Sequence, residues 1–335
     1  MSTLESWTVY KTDRQIIDIG GSLIDKTFVD QQLPKAFLKQ GDFPKEIDYT
    51  TFVDDWNAVA NQSYQTSLEM TIIQNIADRI VGELTWGTHI IDLGADNSKK
   101  FEPYVRAFIK QNKECTYVAL NLNYDSLVEH INNVKATFPN VMCIGLWGSF
   151  EQGDVYFKET RPMARLFLSL GSLFYNAPNF MVMERCIEFK SHLQEPDRLV
   201  VNQEGPISYA AGAIHAAYTT EEYRNFFITY LQGLHDNAGI KDVDPESAWT
   251  VQSKLNKAMH CFDVTANHDM YCENFKIVVV AGTTFKMFKS WKRSEFRVHE
   301  LTTKAGLKIK TLGKSENSGM IQYLIQTADP HCWNA

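Results

Sequence analysis

The stretch HIIDLG at residues 89–94 is a short apolar run that ends on an acidic residue and a glycine. The residues after it lead into a helical pattern in which Phe101, Val105 and Phe108 recur on one face. A buried strand, a tight turn and an amphipathic helix form the unit from which open α/β sheets are built. This stretch therefore predicts the first core strand of such a sheet and the first turn that faces a ligand.

The same unit recurs along the chain with different residues. Apolar runs follow at residues 115–122 (CTYVALNL), 141–146 (VMCIGL), 165–171 (RLFLSLG) and 198–202 (RLVVN). Five apolar strands that alternate with helices are typical of a parallel sheet whose two faces are both covered. The sequence therefore predicts an α/β protein with a doubly wound parallel sheet.

One element precedes these strands and another follows them. At residues 66–82 apolar residues recur at helical spacing, and Thr66 with Glu69 forms a capping box, so a helix is predicted there. Residues 305–313 and 320–327 are predicted to be two strands joined by a short polar loop. We therefore expect a terminal antiparallel hairpin at the edge of the sheet.

Two stretches fall outside this pattern. Residues 1–65 are aromatic-rich and irregular, and residues 204–284 are predicted to be mainly helical, with a strand-like run, FKIVVVAG, at residues 275–282. No repeat or Gly/Ser linker interrupts the chain, so a second lobe would have to consist of segments that are not joined to the first by a linker. We expect a core formed by residues 66–203 and 285–335. The other two stretches would form a discontinuous substrate-binding lobe over the carboxyl ends of the strands, where ligands bind in open α/β sheets.

Composition and charge limit the classes of function. Of 335 residues, 44% are hydrophobic and 22% are charged, as in ordinary folded proteins. Forty acidic against 33 basic residues leave a formal charge of -7, the wrong sign for a general grip on nucleic acid phosphates. The first 15 residues lack the pattern of a signal peptide, and no apolar run approaches the roughly 18 residues of a membrane span. We therefore expect a cytoplasmic protein that binds neither nucleic acid nor membrane, and the oligomeric state stays open.

Other conspicuous residues have structural interpretations. The six cysteines lack any CxxC spacing, and the crowding of histidine and cysteine at residues 260–272 matches no ligand pattern, so no metal site is predicted. The basic run KMFKSWKR at residues 286–293 is interpreted as the solvated face of a strand. His215 and His235 lie on predicted helices and are interpreted as surface or hydrogen-bonded core histidines.

Polar residues follow the first strand at the point where a ligand would sit. Asp92 and Gly94 are followed by a turn into a helix, which suits a nucleotide-like ligand because glycine permits close approach and a helix N-terminus supplies donors. Only one glycine is present where the dinucleotide motif GxGxxG needs three, which argues against a nicotinamide cofactor. An ordinary turn between strand and helix is the alternative interpretation of this segment.

The next three strands also end in polar or small residues. Asn121 ends the second strand, where a ligand with a ribose would call for an acidic residue. Ser149 and Phe150 follow the third strand and could frame a heteroaromatic ring, although a turn with one buried phenylalanine explains them as well. The fourth strand is followed by small residues and then by Tyr175 and Asn176.

These loops together resemble class I S-adenosylmethionine-dependent methyltransferases. More specifically, they resemble the histidine-specific methyltransferase family, which includes the ergothioneine-pathway histidine Nα-methyltransferase and the fungal 4-dimethylallyltryptophan N-methyltransferase. The resemblance covers roughly residues 49–326 and implies a Rossmann-like class I methyltransferase sheet with S-adenosyl-L-methionine as cofactor. It implies the following cofactor contacts: Asp92, Gly94, Lys100, Asn121, Ser149, Phe150, Gly171 and Ser172.

The resemblance also implies a substrate pocket for a small-molecule amine. An amine lone pair would attack the sulfonium methyl group in line, and the enzyme would contribute mainly by positioning, helped by cation–π contacts from aromatic side chains. Lys292 lies on the same family pattern as Ser290, and Glu69 falls where the family has the Glu that opens its first core helix. The implied catalytic residues are Tyr64, Asn176 and Tyr218, and the implied substrate-binding residues are Tyr49, Trp56, Asn176, Phe288 and Ser290.

Four positions depart from the family pattern. Asn121 replaces an expected Asp, Asp96 occupies a small-residue position, and Thr66 stands where the family usually has an Arg. Each of these three changes removes or opposes a charged contact with the cofactor. Phe288 replaces the Glu that a histidine-methylating enzyme uses to hold imidazole, so free histidine is not the expected substrate.

Three hypotheses about function follow. The first is an N-methyltransferase of specialised metabolism, such as alkaloid biosynthesis, that acts on an amino-acid-derived small molecule with an aromatic or indole ring. The second is an enzyme of the same fold that has left methyl transfer and catalyses a cyclisation or rearrangement, with or without S-adenosylmethionine. The third is a degenerate binding subunit. The departures at positions 66, 96 and 121 are what keep the second and third hypotheses open.

Overall fold

The computed structural model describes residues 15–24, 27–43, 55, 58–60, 63–95, 98–206, 216–256, 258–315 and 319–328. No helix within these ranges is long and apolar enough to cross a bilayer. The strands are β1 Ile16–Asp18, β2 Thr88–Leu93, β3 Cys115–Asn121, β4 Met142–Trp147, β5 Arg165–Ser169, β6 Arg198–Glu204, β7 Trp249–Asn256, β8 Met259–Ala266, β9 Met270–Cys272, β10 Ile277–Val279, β11 Thr284–Trp291, β12 Leu307–Lys314 and β13 Met320–Thr327. The helices are α1 Gly21–Ile24, α2 Thr27–Phe37, α3 Tyr64–Gly82, α4 Glu102–Lys110, α5 Tyr124–Thr137, α6 Asp154–Glu159, α7 Asn179–His192, α8 Glu221–Ala238, α9 Pro245–Ala248 and α10 Glu295–Lys304.

The chain divides into two compact units. Unit 1 comprises residues 1–23 and 77–168, and unit 2 comprises residues 24–76 and 169–335. These boundaries differ from those predicted for the core and the substrate-binding lobe, which are based on the order of sequence motifs. The predicted core and lobe stay a prediction.

Unit 1 contains a parallel sheet in the order β1-β4-β3-β2-β5. In its centre Ile90 pairs with Tyr117 on one side and with Leu166 on the other, and all three side chains are fully buried. Strands covered on both faces carry apolar residues at consecutive positions, because each face needs its own apolar layer. The predicted α/β fold with a parallel sheet is confirmed.

The short strand β1 was not predicted. It pairs with β4 in parallel, and Ile16 lies opposite Gly145. A Cβ atom at position 145 would lie 2.4 Å from Cδ1 of Ile16, so a larger residue there would push β1 away. Three residues with one buried side chain carry too little periodicity to be recognised as a strand from sequence.

The helix α3 begins two residues before its predicted start and is capped differently. The Oγ atom of Ser63 accepts a hydrogen bond from the backbone N of Gln65 at 3.2 Å, as an N-terminal cap does. The hydroxyl of Thr66 instead donates to the carbonyl of Ala60 at 2.7 Å. Glu69 is fully buried and accepts a hydrogen bond from a residue far away in sequence, Gly171. The predicted capping box is therefore wrong, because both of its side chains have other partners.

Unit 2 contains an antiparallel group of strands in the order β6-β13-β12. Val201 of β6 lies opposite Tyr323 of β13, and both side chains are fully buried. The two chain-terminal strands pair along most of their length, with one irregularity between Thr311 and Gly313. The predicted terminal hairpin is confirmed.

The stretch predicted to be mainly helical is largely β-structure. After α8, the strands β7, β8 and β11 form an antiparallel sheet in the order β11-β8-β7. In β7 the side chains alternate between half-buried and exposed from Thr250 to Asn256, which is the period of two that a half-covered strand requires. The helical prediction is therefore wrong for residues 249–272 and correct for α8, whose Phe226, Phe227 and Leu234 join the core of this unit. The strand-like run predicted at residues 275–282 contains β10.

Candidate active site

Polar residues gather at the carboxyl ends of three neighbouring strands of unit 1. Asp92 lies near the end of β2, Asn121 ends β3, and Ser149 follows β4. Asp92 is in register with Ala119, and Asn121 with Trp147, so the three strands end at the same edge of the sheet. Asp92 and Asn121 are buried, with 4% and 5% of their surface exposed. A row of buried oxygen acceptors at this edge suits a ligand that carries hydroxyl groups.

A chain of hydrogen bonds holds Asp92. The hydroxyl of Tyr117 donates to Oδ2 of Asp92 at 2.9 Å, and the same hydroxyl lies 2.8 Å from Nε2 of His130. Burial lowers the pKa of His130 to about 4, so its ring is neutral and donates to Tyr117 through Nε2–H. Burial and the Asp92 charge raise the pKa of Tyr117 well above its usual value. Tyr117 and His130, the two side chains linked to Asp92 in this series of hydrogen bonds, are therefore neutral.

The turn after β2 depends on a glycine. Gly94 has φ +76°, in the left-handed region, and its backbone N donates to the carbonyl of Leu120 at 3.0 Å. Side chains rarely adopt this conformation, and a glycine also allows a ligand to approach the backbone closely. Lys100 follows at a half-buried position, with its backbone N bonded to Oγ of Ser98 at 3.2 Å.

The loops after β3 and β4 are ordered by their own side chains. Oδ1 of Asn121 accepts from the backbone N of Asn123 at 3.0 Å. The backbone N of Ser149 donates to Oε1 of Gln152 at 2.8 Å, and Oγ of Ser149 accepts from the backbone N of Gln152 at 3.3 Å. Phe150, which lies within this turn, is half-buried. These contacts fix the loops without a ligand.

In unit 2 a charged cluster is centred on Glu204, the last residue of β6. Its Oε2 accepts from the ammonium group of Lys292 and, at 2.5 Å, from Nε2 of Gln65. Lys292 Nζ also donates to the hydroxyl of Tyr218 at 3.2 Å. The side chains of the ion pair are only 2% and 1% exposed. Burial opposes the charge of Lys292, but Tyr218 and Glu204 outweigh it and raise the pKa of this ammonium group, so Lys292 is charged.

Tyr218 is held on a second side by stacking. Its ring lies parallel to that of His260, with 3.7 Å between the ring centroids and 8° between the planes. Nε2 of His260 lies 2.8 Å from Oγ of Ser253. The ring face and the hydroxyl of Tyr218 are thus both fixed before any ligand binds.

The loop after β5 is bound to the same region of unit 2. Gly171 and Ser172 both have a left-handed backbone, with φ +73° and +59°. Gly171 donates from its backbone N to Oε1 of Glu69 at 2.6 Å, and Oγ of Ser172 accepts from the backbone N of Glu204 at 3.1 Å. Farther along the loop, Oδ1 of Asn176 accepts from the backbone N of Trp291 at 2.8 Å. The amide nitrogen of Asn176 is therefore the end that points away from the backbone of β11.

The residues predicted from sequence separate into groups. Asp92, Gly94, Lys100, Asn121, Ser149 and Phe150 lie in unit 1, and Gly171, Ser172, Asn176, Tyr218, Phe288 and Ser290 lie in unit 2. Tyr49 and Trp56 lie outside the described residues, as does Asp96, and of Tyr64 only the backbone at the start of α3 is described. The roles assigned to all these residues stay predictions.

Phe288 and Ser290 lie at a β-bulge in β11. Met287 lies opposite Phe262 and Ser290 opposite His260, so one extra residue is inserted in β11 between them. Phe288 has φ +49°, and its ring packs against Phe226, Phe227 and Tyr230. Ser290 consequently lies on the same face of the sheet as Met287.

Several residues that build the site were missed or misjudged from sequence. The basic run at 286–293 is not simply a solvated face, because Lys292 and Arg293 are 2% and 5% exposed. Arg293 donates to the carbonyls of Tyr175 and Ala177. Glu204 carried a usable signal, since it is an acidic residue at the carboxyl end of an apolar strand, as Asp92 is. Within the described ranges no group of three His, Cys, Asp or Glu residues could hold a metal ion.

The chain matches known proteins along most of its length. A model of the histidine-specific, S-adenosylmethionine-dependent methyltransferases matches residues 56–327. The 4-dimethylallyltryptophan N-methyltransferase easF of Claviceps fusiformis is 26% identical over 149 residues, which cover 43% of this chain and 42% of that protein. The N-methyltransferase dtpB of Aspergillus flavus is 21% identical over 271 residues, or 76% of this chain and 75% of that protein. Among solved structures, the mitomycin 7-O-methyltransferase MmcR has a TM-score of 0.43 at 13% identity, covering 90% of this chain and 68% of that chain.

A parallel α/β sheet with buried polar residues at its carboxyl edge is typical of the class of α/β proteins that bind a ligand at the ends of their strands. Within that class, the chain belongs to the histidine-specific methyltransferase family, whose members depend on S-adenosylmethionine. The family and the cofactor class predicted from sequence are confirmed. The chain spans less than half the length of the first of these relatives and three quarters of the second.

Proposed function

We propose that the protein is an S-adenosylmethionine-dependent N-methyltransferase that acts on an amino-acid-derived small molecule with an aromatic ring, within specialised metabolism. The names of the relatives from Claviceps and Aspergillus support amine methylation, and the first of them names a tryptophan derivative as its substrate. The observation that carries the proposal is the buried Glu204–Lys292 pair, which holds the hydroxyl of Tyr218 at the carboxyl end of β6.

Unit 1 supplies groups that fit the nucleoside part of the cofactor. Asp92 and Asn121 would accept hydrogen bonds from ribose hydroxyls, and Phe150 would lie against the adenine ring. Gly94 would let the ligand approach the backbone, because no Cβ stands in the way. We also assign Lys100, Ser149, Gly171 and Ser172 to cofactor binding. When bound, S-adenosylmethionine supplies an electrophilic methyl group on a sulfonium centre.

Tyr218 and Asn176 would bind the acceptor as hydrogen-bond donors. An ammonium group has no lone pair, so the contact between Lys292 and Tyr218 makes the phenol oxygen an acceptor there and directs the phenol hydrogen elsewhere. The amide oxygen of Asn176 is bonded to the backbone of Trp291, which leaves its NH2 group to face a ligand. Two donors suit the carboxylate of an amino acid, since the amine must keep its lone pair for attack on the methyl group.

The aromatic surroundings of Phe288 support a substrate other than free histidine. Its ring packs among Phe226, Phe227 and Tyr230, and no carboxylate is present at this position to hold an imidazole. An acceptor with an apolar ring is therefore the better match. We assign Tyr49, Trp56 and Ser290 to the acceptor site, and Tyr64 to catalysis, as the sequence predicts.

One observation favours the second candidate, an enzyme of this fold that has left methyl transfer for a cyclisation or rearrangement. Asn121 stands at a strand end where a carboxylate would bind ribose more strongly, and its Oδ1 already accepts from Asn123. Loss of the charged contact would weaken cofactor binding on the order of 1 kcal/mol. Weak cofactor binding is compatible with either candidate, so the reaction products must decide.

The deciding experiment combines binding and product analysis. Calorimetry with S-adenosylmethionine should show saturable binding, and the change Asp92→Asn should weaken it, whereas Asp78→Asn, which alters an exposed surface pair with Lys110, should leave it unchanged. Incubation with aromatic amino acids and amines should give methylated product and S-adenosylhomocysteine in equal amounts. Absence of binding at millimolar concentrations would contradict the proposal. A rearranged but unmethylated product would favour the second candidate.

A further inference from the structure

A pocket of about 340 Å³ lies between α8 and β7 in unit 2, and Tyr218 is among the residues that line it. Its size falls within the range of small-molecule sites, roughly 300 to 1,000 Å³. One wall is the face of α8 that carries Tyr223, Phe227 and Leu231, at helical spacing. The other wall is the inner face of β7, with Trp249 and Val251 at the strand period of two.

The aromatic side chains that line this pocket are held in place by contacts with other side chains. The rings of Phe227 and Phe262 pack with centroids 4.4 Å apart, and Tyr223 lies 5.9 Å from the same Phe262. Nε1 of Trp249 donates to Nε2 of His235 at 2.9 Å, and burial lowers the pKa of His235, so the histidine stays a neutral acceptor. Rings locked in this way do not turn to fill the space, so the pocket is preformed and favours a flat apolar group.

Among the described residues that line this pocket, one ion pair provides the charge. Arg224 of α8 and Glu246 of α9 both line it and contact each other. Their side chains are 68% and 54% exposed, so the pair contributes little to stability. A charged ligand could therefore rearrange the pair at small cost.

The geometry of the pair favours an anionic ligand over a cationic one. A guanidinium group has five N–H donors in a planar fork, and the contact with Glu246 uses Nη2. A ligand carboxylate can bind the rest of the fork while Glu246 stays in place, with the strength of a charge-assisted bond. A ligand cation would have to compete with Arg224 for Glu246.

We infer that this pocket binds a flat aromatic carboxylate of indole size, with its ring between Phe227, Trp249 and Val251 and its carboxylate on Arg224. The inference goes beyond the proposed function and does not rest on it: there Tyr218 and Asn176 bind the carboxylate of the methyl acceptor, whereas here Arg224 binds the carboxylate of a different ligand. The binding site itself is argued from the walls and the ion pair.

The test compares three probes by calorimetry: indole-3-propionate, indole and tryptamine. Indole-3-propionate should bind most tightly. The change Arg224→Met should weaken its binding roughly tenfold, as expected for the loss of one charge-assisted contact, and leave indole unaffected. Glu246→Gln should leave indole-3-propionate binding equal or tighter. The matched control is Lys254→Met, which removes a positive charge from the exposed face of β7.

Two outcomes would overturn the inference. One is indole-3-propionate binding that matches indole or does not respond to Arg224→Met. The other is a preference for tryptamine that Glu246→Gln abolishes, which would mark a cation site. Val251→Trp, which fills the pocket, should abolish binding of all three probes. Binding of S-adenosylhomocysteine is measured on the same samples: its absence in the unaltered protein would contradict the proposed function and leave the pocket standing, and its retention in Val251→Trp shows that this variant is folded.

Discussion

Asp92 in unit 1 and Glu204 in unit 2 are both buried carboxylates near the carboxyl end of a strand, yet their partners differ in charge. Asp92 accepts from the neutral phenol of Tyr117, whereas Glu204 accepts from the ammonium group of Lys292. A hydrogen bond from a neutral phenol does not cancel the charge of a carboxylate. The charge of a carboxylate paired with an ammonium group is compensated. The role of Glu204 is therefore to hold Lys292 in place, and Lys292 in turn positions the hydroxyl of Tyr218.

The largest effect should come from breaking the ion pair. Lys292→Met leaves Glu204 buried without its ammonium partner, which should lower the free energy of unfolding by about 3 to 5 kcal/mol. Urea denaturation followed by circular dichroism measures this. The double change Glu204→Leu with Lys292→Met removes both charges, so it should recover much of the loss while leaving Tyr218 without its donor.

The control for this prediction is Lys289→Met on the same strand. Lys289 pairs with Asp42, whose side chain is 66% exposed, so its loss should cost no more than about 1 kcal/mol. Equal losses for Lys289→Met and Lys292→Met would show that burial of the pair has no energetic consequence, and the contrast between the two carboxylates would be lost.

The second prediction concerns the neutral chain in unit 1. The pKa of His130 is lowered from 6.5 to about 4 by burial, so between these pH values the unfolded chain binds a proton that the folded chain does not. Stability should therefore be unaffected by His130 above pH 6.5 and should fall as the pH decreases below it. Each pH unit contributes about 1.4 kcal/mol, and the total approaches 3 kcal/mol near pH 4.

Unfolding by urea at a series of pH values between 4.5 and 7.5 measures this dependence. His130→Gln keeps an N–H donor for Tyr117 and removes the titrating group, so the slope below pH 6.5 should become shallower by about one proton. His268→Gln, which changes an exposed histidine, is the matched control. An unchanged slope in His130→Gln would mean that His130 is not the group responsible.

The smallest effect should come from restoring a charge beside Asp92. Asn121→Asp adds a carboxylate at the end of β3, and we expect S-adenosylhomocysteine to bind more tightly by about 1 kcal/mol, or roughly fivefold. Calorimetry measures the gain. Asn133→Asp, on the exposed part of α5, adds the same charge elsewhere and should not change the affinity. Weaker binding in Asn121→Asp would indicate a site adapted to the amide.

The parallel sheet was predictable because its strands carry apolar residues at every position, a pattern that survives without knowledge of the neighbours. The sheet β11-β8-β7 was not predicted, because the polar Ser253 interrupts the apolar residues on the covered face of β7 and α8 precedes this strand with a helical period. The cap of α3 was misjudged for a similar reason. Glu69 has the spacing of a capping residue, but its partner, Gly171, is a hundred residues away.

The candidate site was predictable where one strand end carries its own signal, as at Asp92 and Asn121. Lys292 matches the family pattern, but the basic run at residues 286–293 was interpreted as solvated. Strict alternation of side chains along this run would place polar and apolar residues together on each face of the strand. The β-bulge at Phe288 breaks that alternation, and nothing local in the sequence marks it, since a phenylalanine with positive φ is uncommon.

The bulge shifts the register of the rest of β11 by one residue. One additional residue at position 288 reassigns every later side chain of the strand to the opposite face, so Ser290 joins Met287, and Lys292 follows it to the inside. Gain or loss of a single residue there would exchange the buried and exposed sets downstream without any substitution in them. Among homologues, the length of this segment should therefore be under stricter selection than the identity of its exposed residues.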